Sequence, residues 1–118
     1  MTVVERSVDR TEQRARLSAV LKRLELDAAV VTSYQAVSYF AGTNIITQTA
    51  LPERLEFCIV FPDESAALLL CNIETSMAKS QTDLDDVSEY VEFADVPVVS
   101  LANLLKERGL AQGRVGIE

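Results

Sequence analysis

The sequence predicts an α/β fold: a mixed, mostly parallel sheet of about five to six strands with one antiparallel hairpin and helices on both faces. Three observations lead there. Short, almost wholly apolar runs such as Ala28-Ala29-Val30-Val31 read as strands covered on both sides. Segments of helical periodicity separate those runs. Two of the runs, Phe57 to Phe61 and Ala66 to Cys71, flank Pro62-Asp63-Glu64-Ser65, the pattern of strand, turn and strand. With 118 residues, 48% hydrophobic and 25% charged, the chain fits one globular domain, enough to bury roughly two-thirds of its unfolded surface.

The elements follow in order. Asp9 with Glu12 three positions on has the spacing of a capping box, and Leu17, Val20, Leu21 and Leu24 share one helical face. A helix from Val8 to Leu24 is expected, with Arg14, Arg16, Lys22 and Arg23 in solvent. The strand Asp27 to Thr32 comes next, then a helix capped by Ser33 and ended after Phe40 by Gly42. Thr43 to Glu56 is polar, contains Pro52 and reads as a long loop, a kind of segment that is often functional. After the hairpin, Ile73 to Ser80 reads as a helix and Ser88 to Phe93 as an alternating strand. Ser100 is expected to cap a last helix bearing Leu101, Leu104 and Leu105, which Gly109 stops. Gly113 to Glu118 is a turn glycine followed by an apolar strand with no tail, which reads as an excised domain whose chemistry lies in a missing part.

Charge and composition exclude several functions. Through Glu56 seven basic residues balance seven acidic ones, whereas from Phe57 onward four basic residues face eleven acidic ones, for a net charge of −7. Nucleic acid is an unfavourable partner for such a surface. Asp83, Asp85, Asp86, Glu89, Glu92 and Asp95 form an acidic run, but the turn glycine and closing Glu of a calcium loop are missing, so a solvated face is expected. Cys58 and Cys71 lie in apolar runs without metal-ligand spacing and read as reduced core residues. The first residues lack the apolar stretch of a signal peptide, and the apolar runs are far below the roughly 20 residues of a membrane span. The chain reads as cytoplasmic.

Catalytic equipment is absent. No histidine occurs, which removes the commonest general base and the Ser-His and Cys-His pairs. No GxGxxG, GxxxxGK[ST] or GxSxG motif is present. A response-regulator receiver fits poorly, because Thr32-Ser33-Tyr34 follows the first strand where acidic residues belong.

Taken together, four segments resemble the amino-terminal domain of the creatinase, prolidase and aminopeptidase P family, the pita-bread metallohydrolases. They are Leu24-Glu25-Leu26-Asp27-Ala28-Ala29-Val30-Val31-Thr32-Ser33, Val37-Ser38-Tyr39-Phe40-Ala41-Gly42, the arginine Arg54 ahead of a strand ending in Pro62-Asp63, and Gly113-Arg114-Val115-Gly116-Ile117-Glu118. The resemblance spans essentially the whole chain. Glu25 departs from it, standing where a glycine is usual, so a helix stop there requires an unusual turn.

The resemblance implies a non-catalytic domain, residues 1–118, of an Xaa-Pro peptidase or creatinase-type hydrolase. It implies two divalent ions (Mn, Co or Zn) on two Asp, one His and two Glu of a carboxy-terminal catalytic domain, with none bound by this chain. It also implies a homodimer whose amino-terminal domain closes an active site. Arg54 matches a position that reaches the substrate carboxylate, a task suited to a planar guanidinium; a plain surface arginine between Glu53 and Glu56 is the other reading. Pro52 and Leu51 line the same wall if the loop folds inward. Tyr39 is a substrate-binding candidate through its hydroxyl, against core packing with Phe40. The competing function is a freestanding interaction or ligand-binding module that uses the loop from Thr43 to Glu56.

Overall fold

The computed structural model describes residues 9–51 and 53–118. Val8 and Pro52 therefore lie outside the described residues. The elements run α1 (Thr11–Arg23), β1 (Ala28–Val31), α2 (Tyr34–Ala41), α3 (Thr47–Ala50), β2 (Phe57–Val60), β3 (Ala66–Cys71), α4 (Thr75–Gln81), β4 (Val87–Tyr90), α5 (Pro97–Glu107) and β5 (Val115–Ile117). Five strands, among the described residues, form one sheet in the order β4-β3-β2-β1-β5. β2 pairs antiparallel with both β1 and β3, while β1 with β5 and β3 with β4 are parallel. Four strands thus point one way and β2 alone runs against them, the mixed sheet with one hairpin that the apolar runs and the four-residue turn imply.

Each face of the sheet carries its own core. Cys58, Val60, Leu68 and Leu70 face α1, α2 and α4, where they meet Leu21, Val37, Ala41 and Ala78. Phe57, Ile59, Ala67 and Leu69 face α5, where they meet Leu101 and Leu104. The alternation along β2 and β3 is the period-2 pleat of a strand covered on both sides. It also keeps the cysteines apart: Cys58 belongs to the first core and Cys71 to the second, so the sheet itself separates two buried, free thiols. Burial pushes the Cys58 thiol up to about 12.

The Ser33 cap forms as expected, its hydroxyl accepting the Ala36 N–H at 3.1 Å, and Gly42 closes α2 with φ of 77°. α1 ends without glycine: the Leu26 N–H bonds Leu21 O at 2.9 Å and the Glu25 N–H bonds Lys22 O at 3.2 Å, with Glu25 at φ 57°. That is a Schellman motif built on glutamate. α5 closes with the same pair of bonds around Gly109.

Several expectations are corrected. Asp9 accepts from the Thr11 N–H rather than from further along the helix, and Glu12 pairs with Arg16 at 2.5 Å, so no capping box forms. Leu24 is exposed, whereas Arg14 is buried because its guanidinium forms two bonds of 2.8 and 2.9 Å with Asp83 and a third of 2.8 Å to Phe40 O. The loop between α2 and β2 contains α3. α4 and β4 are displaced by one or two residues from their expected starts, and Ile73 is exposed ahead of α4. α5 begins at Pro97, whose fixed φ and missing N–H suit a first helical position, so Ser100 lies inside the helix.

The acidic run is only partly a solvated face. Asp83 pairs with Arg14, Asp86 with Arg108, and Glu92 with Arg54. Partial burial opposes ionisation of Asp83, yet the Arg14 bonds and the Arg10 N–H hold its carboxyl below the ordinary range.

Candidate functional site

Because β1, β3, β4 and β5 point the same way and β2 is reversed, the segments that leave those four and the segment that enters β2 meet at one edge of the sheet. This carboxyl edge is where open α/β sheets place their ligands. It receives Thr32 and Ser33 from β1, Asn72 and Glu74 from β3, Val91 to Asp95 from β4, Glu118 from β5, and Arg54 to Glu56 on the way into β2.

Arg54 is the hub of this edge. Its Nε donates to Glu92 Oε1 at 2.7 Å and an η nitrogen to Glu74 Oε1 at 3.3 Å, with the side chain 20% exposed. The hydroxyl of Thr47, on α3, donates to the same Glu74 oxygen at 2.6 Å, so the short helix missed in the sequence helps hold the arginine's partner. Tyr90 donates from its hydroxyl to Leu55 O at 2.7 Å, fixing the segment beside Arg54. These two ion pairs use two of the five N–H donors of a guanidinium.

A cavity of about 190 Å³ opens beside Arg54, lined by Glu53, Tyr90, Glu92, Phe93, Asp95 and Pro97. Tyr39 is not part of it: on α2, half exposed, it sits edge-on to Phe40 with ring centroids 5.0 Å apart and planes at 88°. The structure therefore brings one of the two sequence candidates to a cavity and leaves the other on a helix.

Glu56 is the most deeply buried acid of the site. It is 2% exposed, one carboxyl oxygen accepts from the Thr43 hydroxyl at 3.0 Å, and the other has no partner among the described residues. Burial raises its pKa to about 7, opposed by the Thr43 bond and reinforced by nearby Glu74. At the other end of the edge, the Glu118 carboxylate accepts from the Thr32 N–H at 2.7 Å, the Ser33 N–H at 2.8 Å and the Ser33 hydroxyl at 2.5 Å. Those bonds outweigh its partial burial and hold it below the ordinary range. The strand β5 is thereby clamped to the start of α2.

Sequence reasoning did not single out Glu56, Glu74, Glu92 or Phe93 as members of one site. Glu92 and Glu56 were in view only as a member of the acidic run and a flank of Arg54. Among the described residues no group of three or more His, Cys, Asp or Glu side chains is arranged to hold a metal ion. No helix among them is long and apolar enough to cross a membrane.

A reversed β2 between same-direction strands, with helices on both faces and an arginine-centred carboxyl edge, defines a domain class rather than an active site. Residues 13–118 match the Creatinase/Prolidase N-terminal domain, and the chain belongs to that family. Among solved structures, the N-terminal domain of a cytoplasmic peptidase from Mycobacterium tuberculosis is 26% identical with a TM-score of 0.69, the match covering 91% of this chain and 72% of that one. A proline dipeptidase from Streptococcus pneumoniae is 24% identical with a TM-score of 0.66, covering 79% and 64%. An Xaa-Pro dipeptidase from Bacillus anthracis is 15% identical with a TM-score of 0.73, covering 93% and 27%. The last two show a shared fold, and the match spans less than two thirds of the Streptococcus chain and about a quarter of the Bacillus chain. No curated protein matches this chain significantly.

Proposed function

We propose that this chain is the non-catalytic amino-terminal domain of a metal-dependent hydrolase of the Xaa-Pro peptidase or creatinase type, with residues 1–118 as one domain and the chemistry in a catalytic domain that follows. The observation that supports it most directly is the family match over residues 13–118. The arrangement of the carboxyl edge agrees with it, since Arg54 is held at a cavity wall by acids from two other segments rather than waving in solvent. In this reading the two divalent ions belong to the catalytic domain, the protein works as a cytoplasmic homodimer, and this domain closes one side of an active site. Arg54 offers its remaining N–H donors to a substrate carboxylate, and Tyr39 stands as a second, more distant contact.

Two experiments test the proposal. The isolated chain, incubated with Xaa-Pro dipeptides and Mn²⁺, is expected to give no turnover, and reproducible metal-dependent hydrolysis by the pure chain would sink it. In the full-length protein, Arg54→Lys keeps a cation between Glu74 and Glu92 but loses the planar fork. A raised KM with an unchanged fold supports the substrate role; unaltered kinetics return Arg54 to a structural one.

A further inference from the structure

One turn at the carboxyl edge is built against local preference. Phe93 has φ of 65°, a left-handed conformation that a bulky side chain adopts at a cost, and its side chain is 96% exposed. Neither the backbone nor the ring gains anything inside the domain, and strain of this kind persists where surroundings enforce it. They do so here: the Asp95 carboxylate accepts the Val91 N–H at 2.7 Å, the Asp95 N–H returns to Val91 O at 2.9 Å, and the Glu92 N–H donates to Asn72 Oδ1 at 3.0 Å. The turn is pinned and the ring is its tip.

The surroundings of that ring are apolar with an acidic rim. Val91, Val96 and Val98, near it in the chain, are also exposed, and the cavity that Phe93 lines is walled by Tyr90 and Pro97 as well. Glu53 and Asp95 are exposed at the cavity mouth. No lysine or arginine occurs between Lys79 and Lys106, and the one guanidinium at the cavity, that of Arg54, is outnumbered by its two partners Glu74 and Glu92, which leaves the wall net negative.

We propose that this patch is a docking surface for a polypeptide segment in which apolar side chains alternate with lysine or arginine. Phe93 and the cavity take the apolar side chains, and the Glu53 carboxylate and the Asp95 oxygen that is not bonded to the Val91 N–H pair with the cations. The rim argues against other occupants: a second copy of the same patch sets carboxylate against carboxylate, and an anionic lipid or nucleic acid is repelled. This inference goes beyond the peptidase reading and does not depend on it.

The test is an anisotropy titration of the chain with a labelled peptide of alternating leucine and lysine at near-physiological salt. Phe93→Gly is expected to weaken binding by about 30-fold, as loss of a central aromatic anchor does, while the thermal midpoint holds or rises because the strain is released. Glu53→Lys is expected to weaken it about tenfold through the same patch. Glu64→Lys, an equal charge change at the hairpin turn on the opposite end of the sheet, should stay within about twofold, since it lies beyond the screening length. Several results would overturn the proposal. These are no saturable binding of the leucine–lysine peptide by the parent chain, native affinity in Phe93→Gly, equal losses in Glu53→Lys and Glu64→Lys, equal binding of a leucine–glutamate peptide, or a Phe93-dependent dimer or Phe93-dependent binding to phosphatidylserine vesicles.

Discussion

Replacing Glu56 by glutamine should remove a pH dependence from the stability of the domain. Glu56 titrates near 7 in the fold against an ordinary 4.5, because its carboxylate is buried with one oxygen lacking a partner. A carboxyl whose folded pKa is raised binds its proton more tightly when folded, so its neutral form favours the fold. That advantage is complete below the unfolded pKa, declines as pH rises from about 4.5 to about 7, and is gone above it. The gap between about 4.5 and about 7 amounts to roughly 3 kcal/mol. The glutamine amide can still accept the Thr43 hydroxyl, but its NH₂ then occupies the partnerless position and costs about 1–3 kcal/mol at every pH. Glu56→Gln is therefore expected to be about 1–3 kcal/mol less stable than the parent at pH 4.5, and equal or up to about 2 kcal/mol more stable at pH 8. The informative quantity is the change in that difference between the two pH values, about 3 kcal/mol, read by urea unfolding. Asp83 and Glu118 are shifted the opposite way and lend stability that is lost at low pH, but both are present in parent and variant and cancel. Parallel stability profiles for the two proteins would refute the reasoning.

Other consequences are equally direct. Glu25→Gly should raise the stability of the domain by up to about 1 kcal/mol, since removing the left-handed strain outweighs the extra chain entropy of glycine; the matching Schellman turn at Gly109 is the internal control, and a fall in the urea midpoint would contradict it. Asp83→Ala should cost about 3 kcal/mol because it leaves Arg14 buried without its carboxylate, and a loss within a few tenths would mean that the Phe40 carbonyl suffices. Both thiols should resist a water-soluble disulfide reagent in the folded chain and react together on unfolding; rapid labelling of Cys58 in native buffer would show that its core opens locally.

Much of the fold was legible because it is local. The hairpin depends on two apolar runs and a four-residue turn, and α2 on a serine that caps its own third residue and a glycine that ends it. The site was legible only in its arginine. What Arg54 does depends on Glu74 and Glu92, 20 and 38 residues away, and nothing in a local window announces that a turn and a strand end will deliver them. Tyr39 and Arg54 looked alike as polar tips beside a loop, yet Arg54 lines the cavity beside Glu92 and Tyr39 does not.

The sequence by itself determined which segments become strands and which become helices, α3 excepted, that both cysteines are core residues, and that the chain belongs with a family of supporting domains. Periodicity, capping and turn chemistry act over a few residues, and the order of four short motifs survives any amount of folding. Tertiary structure decided which charges are buried. Arg14 was indistinguishable from its neighbours on α1 until Asp83, 69 positions later, came within 2.8 Å, and Glu56 was a flank of Arg54 until the sheet took the water from it. The cost of a charge is set by the solvent it loses and the partner it gains. Both are supplied by distant parts of the chain, and no sequence window contains them.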